Sequence, residues 1–118
     1  MNEYTSQILD YSQNPPNLGK LKDYSYKLSA NNPNCGDNLT IFIKTENEII
    51  TDAKFLADGC AISKASTSML LENVIGKNIK NLKIIDKNTV LDLLQIEISP
   101  AREKCAFLAL DALKQIAS

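Results

Sequence analysis

Three cysteines and one aspartate are the residues in this 118-residue chain best suited to chemistry. Cys35 and Asp37 stand two positions apart in the polar stretch Pro33-Asn34-Cys35-Gly36-Asp37-Asn38. Gly36 between them can take positive φ, which lets the two side chains converge on one point. Cys60 follows Gly59 at the start of a helix-spaced run, where unpaired backbone N–H groups and the helix dipole favour thiolate. Cys105 lies in the last apolar-periodic stretch, flanked by Lys104 and, three residues back, Arg102. Three sulfurs and one carboxylate make four soft-to-borderline donors, which suit Zn²⁺ or iron–sulfur ligation and not Mg²⁺ or Ca²⁺. Histidine is absent, so any metal site here is built from sulfur and carboxylate.

Each of these residues also has a plainer reading. Asn, Gly and Asp are what a β-turn prefers, Cys60 fits a small buried hydrophobe, and Cys105 taken alone reads as core. Arg102 and Lys104 read as solvated charge or as positive potential that favours thiolate at Cys105 or pairs with Asp37. The case for a metal centre rests on the four donors taken together.

Composition narrows the alternatives. Hydrophobic residues make up 44% of the chain and charged residues 23%, ordinary values for a globular protein, and the length suits a single domain over 1–118. A net charge of −1, one arginine and no tryptophan give no pull toward nucleic acid. No run approaches the length of a membrane helix and the first residues lack a signal-peptide core, so a cytoplasmic or other reducing location is expected. An odd cysteine count fits that compartment better than a disulfide framework does.

The elements that position the donors follow from periodicity. Tyr4, Ile8 and Tyr11 predict a short helix over 2–13, stopped at Asn14-Pro15-Pro16-Asn17-Leu18-Gly19. Alternation from Tyr24 to Ser29, the run Leu39–Lys44 and the stretch Ile49–Ala57 predict three strands, with a turn at Glu46-Asn47-Glu48. Short connections make them an antiparallel meander. A helix is expected from about Ala61 to Val74, ended by Gly76. One or two short helices follow over Leu82–Leu94, with a cap at Asn88-Thr89, and then a connector over 95–99. A single last helix is capped by Ser99 and has Pro100 in first position. Strands first and helices after indicate an α+β fold, a three-stranded antiparallel sheet packed against a layer of helices.

Four segments in this order resemble the iron–sulfur cluster assembly scaffolds, the IscU, SufU and NifU N-terminal proteins. They are Asn14-Pro15-Pro16-Asn17-Leu18-Gly19, Cys35-Gly36-Asp37, Gly59-Cys60-Ala61-Ile62-Ser63-Lys64-Ala65-Ser66 and Arg102-Glu103-Lys104-Cys105-Ala106. The resemblance implies the same α+β architecture and a scaffold that accepts persulfide sulfur from a cysteine desulfurase. It would assemble a transient [2Fe–2S] cluster and pass it to apo-proteins or carriers, with no nucleic-acid or membrane partner. Cys35, Asp37, Cys60 and Cys105 become the ligand positions for cluster or Zn²⁺, and Cys105 the candidate persulfide acceptor. The resemblance also implies an alternative, a zinc-dependent sulfurtransferase partner that relays the desulfurase's persulfide. Either way the chain is a sulfur acceptor rather than an independent catalyst. Two features depart from IscU: Lys104 stands where a His precedes the third cysteine, and Ile96-Glu97-Ile98-Ser99-Pro100 replaces a Leu-Pro-Pro-Val-Lys stretch. Both are SufU-like, but the 44 residues between Cys60 and Cys105 leave little room for the SufU insertion. The nearest description is a compact SufU-type member.

Overall fold

A computed structural model of the chain describes residues 11, 13, 15–32, 36–59, 61–94 and 100–117, and for 32, 37, 61, 100–102 and 117 the backbone path alone. The expected helix over 2–13 lies mostly outside these residues. Tyr11 and Gln13 within it are helical, and the Tyr11 hydroxyl donates to Glu72 Oε2 at 3.0 Å.

The three strands are β1 (Tyr26–Asn32), β2 (Asp37–Glu46) and β3 (Ile49–Asp58), antiparallel in the order β1-β2-β3. Register follows from the alternation. Leu28, Ile41 and Phe55 lie side by side on the inner face, and Ala30, Leu39 and Ala57 form the next row. A one-residue shift between Lys44 and Thr45 leaves Thr51 unmatched, a bulge that turns Ile50 onto the same buried face as Ala53. Asn47 (φ 52) and Glu48 (φ 67) make the tight turn between β2 and β3, the two positive φ values of a type I′ hairpin.

Helix α1 (Ala61–Val74) lies at the centre of the helical layer. Ile62, Ala65, Leu70, Leu71 and Val74 are fully buried. Ser63, Ser66, Thr67 and Ser68 are buried as well, so this helix is enclosed on most of its circumference rather than amphipathic. Two of the hydroxyls are satisfied locally: Thr67 Oγ1 and Ser66 Oγ donate to the Ser63 carbonyl at 2.7 and 3.2 Å. Gly76, at φ +92, stops the helix where the sequence places its end.

A 3₁₀ turn (Ile79–Lys83) and helix α2 (Lys87–Leu94) follow, matching the expectation of one or two short helices. The α2 cap differs from the expected Asn88-Thr89. It is Asp86, whose carboxylate accepts the Thr89 N–H at 3.1 Å, while the Thr89 hydroxyl stands 3.5 Å from the Asp86 N–H. A carboxylate three residues ahead of the accepted N–H satisfies an otherwise unpaired donor, which Asn88 inside the first turn is badly placed to do. The connector over 95–99, Ser99 included, lies outside the described residues. The expected single last helix is two, α3 (Pro100–Ala106) and α4 (Leu108–Ala117), interrupted at Phe107. Hydrogen bonds from Phe107 N–H to Glu103 O and from Asp111 N–H to Phe107 O, both 3.0 Å, carry the chain across the break. The Phe107 ring is buried, with Lys87 Nζ 5.3 Å from its centroid.

The outer edge of β3 is closed by two other segments. Ile50 N–H donates to Lys77 O at 2.9 Å and Ile50 O accepts from Gly76 N–H at 2.7 Å. Farther along, the arm at 15–19 takes over. Asn17 Nδ2 reaches Ala53 O at 3.2 Å, Phe55 N–H reaches Asn17 O at 2.9 Å, and Gly19 N–H reaches Phe55 O at 2.9 Å. Ala53 N–H is satisfied by the Asp52 carboxylate at 2.8 Å.

Candidate metal centre

One end of the sheet gathers the segments that carry the predicted ligands. Asn32 and Asp37 are the last paired residues of β1 and β2, and Asn38 pairs with Asp58 at the end of β3. The β1–β2 turn and the β3-to-α1 junction therefore open at the same end. Gly36 sits in that turn at φ +71, exposed, with no atom of the described residues within 4 Å of where a Cβ would stand. Its role is conformational, since a left-handed backbone there costs other residues on the order of 1 kcal/mol.

Asp37 is the first residue of β2; its backbone path is described and its side chain is not. Cys35 and Cys60 lie outside the described residues. Around Cys60 the neighbours are placed: Gly59 forms the bend that ends β3 and Ala61 is the first residue of α1. That is the strand-to-helix junction the sequence indicates, at the N-terminus of a 14-residue helix. Cys105 is the one predicted ligand whose side chain is described, and it is buried, 2% exposed, in α3. α3 packs against α1, the helix that starts directly after Cys60. Of its flanking charges, Glu103 and Lys104 are exposed.

The fold thus places the β1–β2 turn and the β3–α1 junction together and packs the Cys105 helix on α1. Among the described residues no three Cys, Asp or Glu side chains form a ligand cluster. The donor types are chemically suited to iron or zinc, because thiolate binds both and the single carboxylate supplies a harder, more exchangeable oxygen.

One organising residue was not singled out from the sequence. Asn17 joins three segments through its backbone carbonyl, its amide nitrogen and its amide oxygen, the last accepting from Ser68 Oγ at 3.3 Å. The available signal was an Asn between two prolines and a Gly, which reads as a helix stop and carries no hint of a clasp on a distant strand.

Residues 3–118 match the NifU-like N terminal domain. The chain belongs to that family. This NifU-like domain is 35% identical, over an alignment 129 positions long, to the iron–sulfur cluster assembly scaffold protein IscU of Thermotoga maritima, spanning 95% of this chain and 90% of that one. It is 36% identical, again over an alignment of 129 positions, to the zinc-dependent sulfurtransferase SufU of Bacillus subtilis, with 95% and 87% of the two chains covered. Among solved structures, a protein of Fervidobacterium islandicum described as an iron–sulfur cluster assembly scaffold for the SUF system superposes with a TM-score of 0.80. There the identity is 28%, covering 98% of this chain and 96% of that one. The expected NifU-like architecture, a three-stranded antiparallel sheet with helices on one face, is the one observed.

Proposed function

We propose that this NifU-like domain is an iron–sulfur cluster assembly scaffold that accepts sulfur from a cysteine desulfurase and hands a [2Fe–2S] cluster to apo-proteins. The supporting observation is topological: two of the three cysteine-bearing segments open at one end of the sheet, and the third packs on the helix leaving it. Cys35, Asp37, Cys60 and Cys105 are the proposed ligands of the cluster.

In the sulfur-transfer step, a scaffold thiolate attacks the outer sulfur of the desulfurase persulfide. The S–S bond of the donor breaks, the desulfurase cysteine leaves as thiolate, and the scaffold cysteine becomes the persulfide. That sulfur takes up two further electrons from an external reductant before it serves as sulfide between two irons. We assign Cys105 as the acceptor, and its burial sets a condition on the assignment. α3 must shift to admit the donor sulfur, since a buried thiol is shielded from external electrophiles. Once the cluster is in place, the same burial shelters the bond between Cys105 and iron from water. Asp37, the oxygen donor, is the ligand that exchanges first on delivery.

A second reading is a zinc-dependent sulfur relay, supported by the likeness to the Bacillus subtilis sulfurtransferase and by Lys104 in place of a His. A protonated Lys cannot coordinate metal, so Lys104 acts as a charge partner in either case. Metal analysis and an anaerobic visible spectrum separate the two. Iron, sulfide and charge-transfer bands after reconstitution with desulfurase and cysteine support the scaffold. Tightly held zinc with no stable cluster supports the relay.

A further inference from the structure

The face of the sheet turned away from the helices carries a feature the metal centre does not use. The side chains at Lys27, Phe42 and Leu56 alternate out of phase with the core rows and point to this outer face. Phe42 is only 6% exposed yet stands outside the main core cluster. Its cover comes from this side: the Tyr24 ring packs at 5.5 Å between centroids, tilted 57°, and Lys27 Nζ lies 5.9 Å from the Phe42 centroid. The chain from Lys20 to Tyr24 runs over the sheet here and forms one wall of an open groove of about 460 Å³.

The groove combines an apolar floor with a one-signed rim. Phe42, Leu56 and Leu21 line the bottom and wall, and Tyr24, 44% exposed, stands at the lip. Lys20, Lys22 and Lys27 all line it and all are exposed, while no Asp or Glu is among the described lining residues. Nearby carboxylates lie at its margins: Asp23 in the wall segment, and Asp52 and Asp58 on the outer face of β3, Asp52 opposite Lys44. In a chain of net charge −1, three lysines around one groove form a local positive field.

We propose that this groove docks an acidic protein segment that presents an apolar side chain to the Phe42–Leu56 floor and carboxylates to Lys20, Lys22 and Lys27. The charge pattern selects this occupant. A basic segment or a second copy presenting the same face meets like charge, whereas an acidic one is steered in and held in register. A groove this open fits a side chain or two from a folded partner or peptide rather than an enclosed small molecule. Leu56 lies two residues from the end of β3, so a bound partner sits beside the end of the sheet where the ligand-bearing segments open. The proposal does not depend on which metal that centre holds.

The test uses a fluorescein-labelled peptide of alternating Glu or Asp and Leu or Phe, and the same peptide with Lys in place of every acid. Titration is followed by anisotropy and by ¹H–¹⁵N chemical shifts on the full chain. We expect the acidic peptide to bind, with shifts centred on Lys22, Lys27, Phe42 and Leu56. The double variant K22E/K27E should weaken it about tenfold or more with the fold retained by far-UV circular dichroism, and added salt should weaken it in the wild type. Equal binding of the Lys peptide overturns the proposal, as do shifts confined to another surface. So do affinity untouched by K22E/K27E, no binding at about 1 mM peptide, and a dimer in sedimentation that covers these residues.

Discussion

Ser68 and Asn17, 51 positions apart, share a hydrogen bond from the Ser68 hydroxyl to the Asn17 amide oxygen at 3.3 Å. It ties the central helix to the arm at 15–19 while that arm grips β3 through Asn17 and Gly19. Helix, arm and strand are therefore fixed against one another a few residues before β3 turns into the junction that carries Cys60.

Asn17→Ala removes both side-chain bonds and leaves Ala53 O without its donor. The expected loss is about 1–3 kcal/mol of unfolding free energy in urea titration, with a smaller loss for Ser68→Ala. In a double-mutant cycle the two changes should be non-additive. Additive losses would show that the bond between them contributes nothing.

Cys105, at 2% exposure, should resist alkylation in the native metal-free protein. Peptide mapping after brief iodoacetamide treatment is expected to find it modified at least about tenfold more slowly than in urea-unfolded chain. Equal rates in both states would remove the requirement that α3 shift before sulfur transfer.

Asp37→Ala takes the lone oxygen donor out of the proposed ligand set. Transfer of a reconstituted cluster to an apo-ferredoxin should slow several-fold, because the ligand that exchanges most readily is gone. Circular dichroism in the visible range follows the transfer, and unchanged kinetics would sink the assignment of Asp37.

Glu48 holds φ at 67 in the β2–β3 turn, a conformation that suits glycine, and its contact with Lys80 at 3.7 Å joins two exposed side chains. Glu48→Gly should stabilise the protein by about 0.5–1 kcal/mol, since backbone strain relieved outweighs a surface ion pair lost. A lowered urea midpoint would contradict the strain.

Much of the fold was legible because local pattern and tertiary environment agree. The alternation Leu39, Ile41, Ile43 is the buried face of β2, and Gly76 ends α1 where periodicity and a positive φ coincide. The misses have physical causes. Apolar spacing runs unbroken from Cys105 through Leu113, so nothing in the pattern marks the interruption at Phe107. Asn88-Thr89 has the right residue types for a cap, yet Asp86 holds the geometry, and a cap is decided by where the first turn begins. Ser63, Ser66, Thr67 and Ser68 carry no sequence signal for burial, yet they are enclosed, with the Ser66 and Thr67 hydroxyls spent on the helix itself and the Ser68 hydroxyl on Asn17. For the metal centre, residue types and order carried the family, and the sheet explains why Asp37 and the junction after Asp58 are neighbours.

With its peptide groups engaged from Ile50 to Phe55 by Gly76, Lys77, Asp52, Asn17 and Gly19, β3 has no vacant hydrogen-bonding edge along that length for a visiting chain. Recruitment by strand addition is closed on this side, and so is the fibril-like stacking that an open edge invites. Proteins that meet this domain there must recognise side chains and loops, contacts that form and dissolve without unpicking a sheet. A carrier that gives up its cargo repeatedly is well served by partners that can leave.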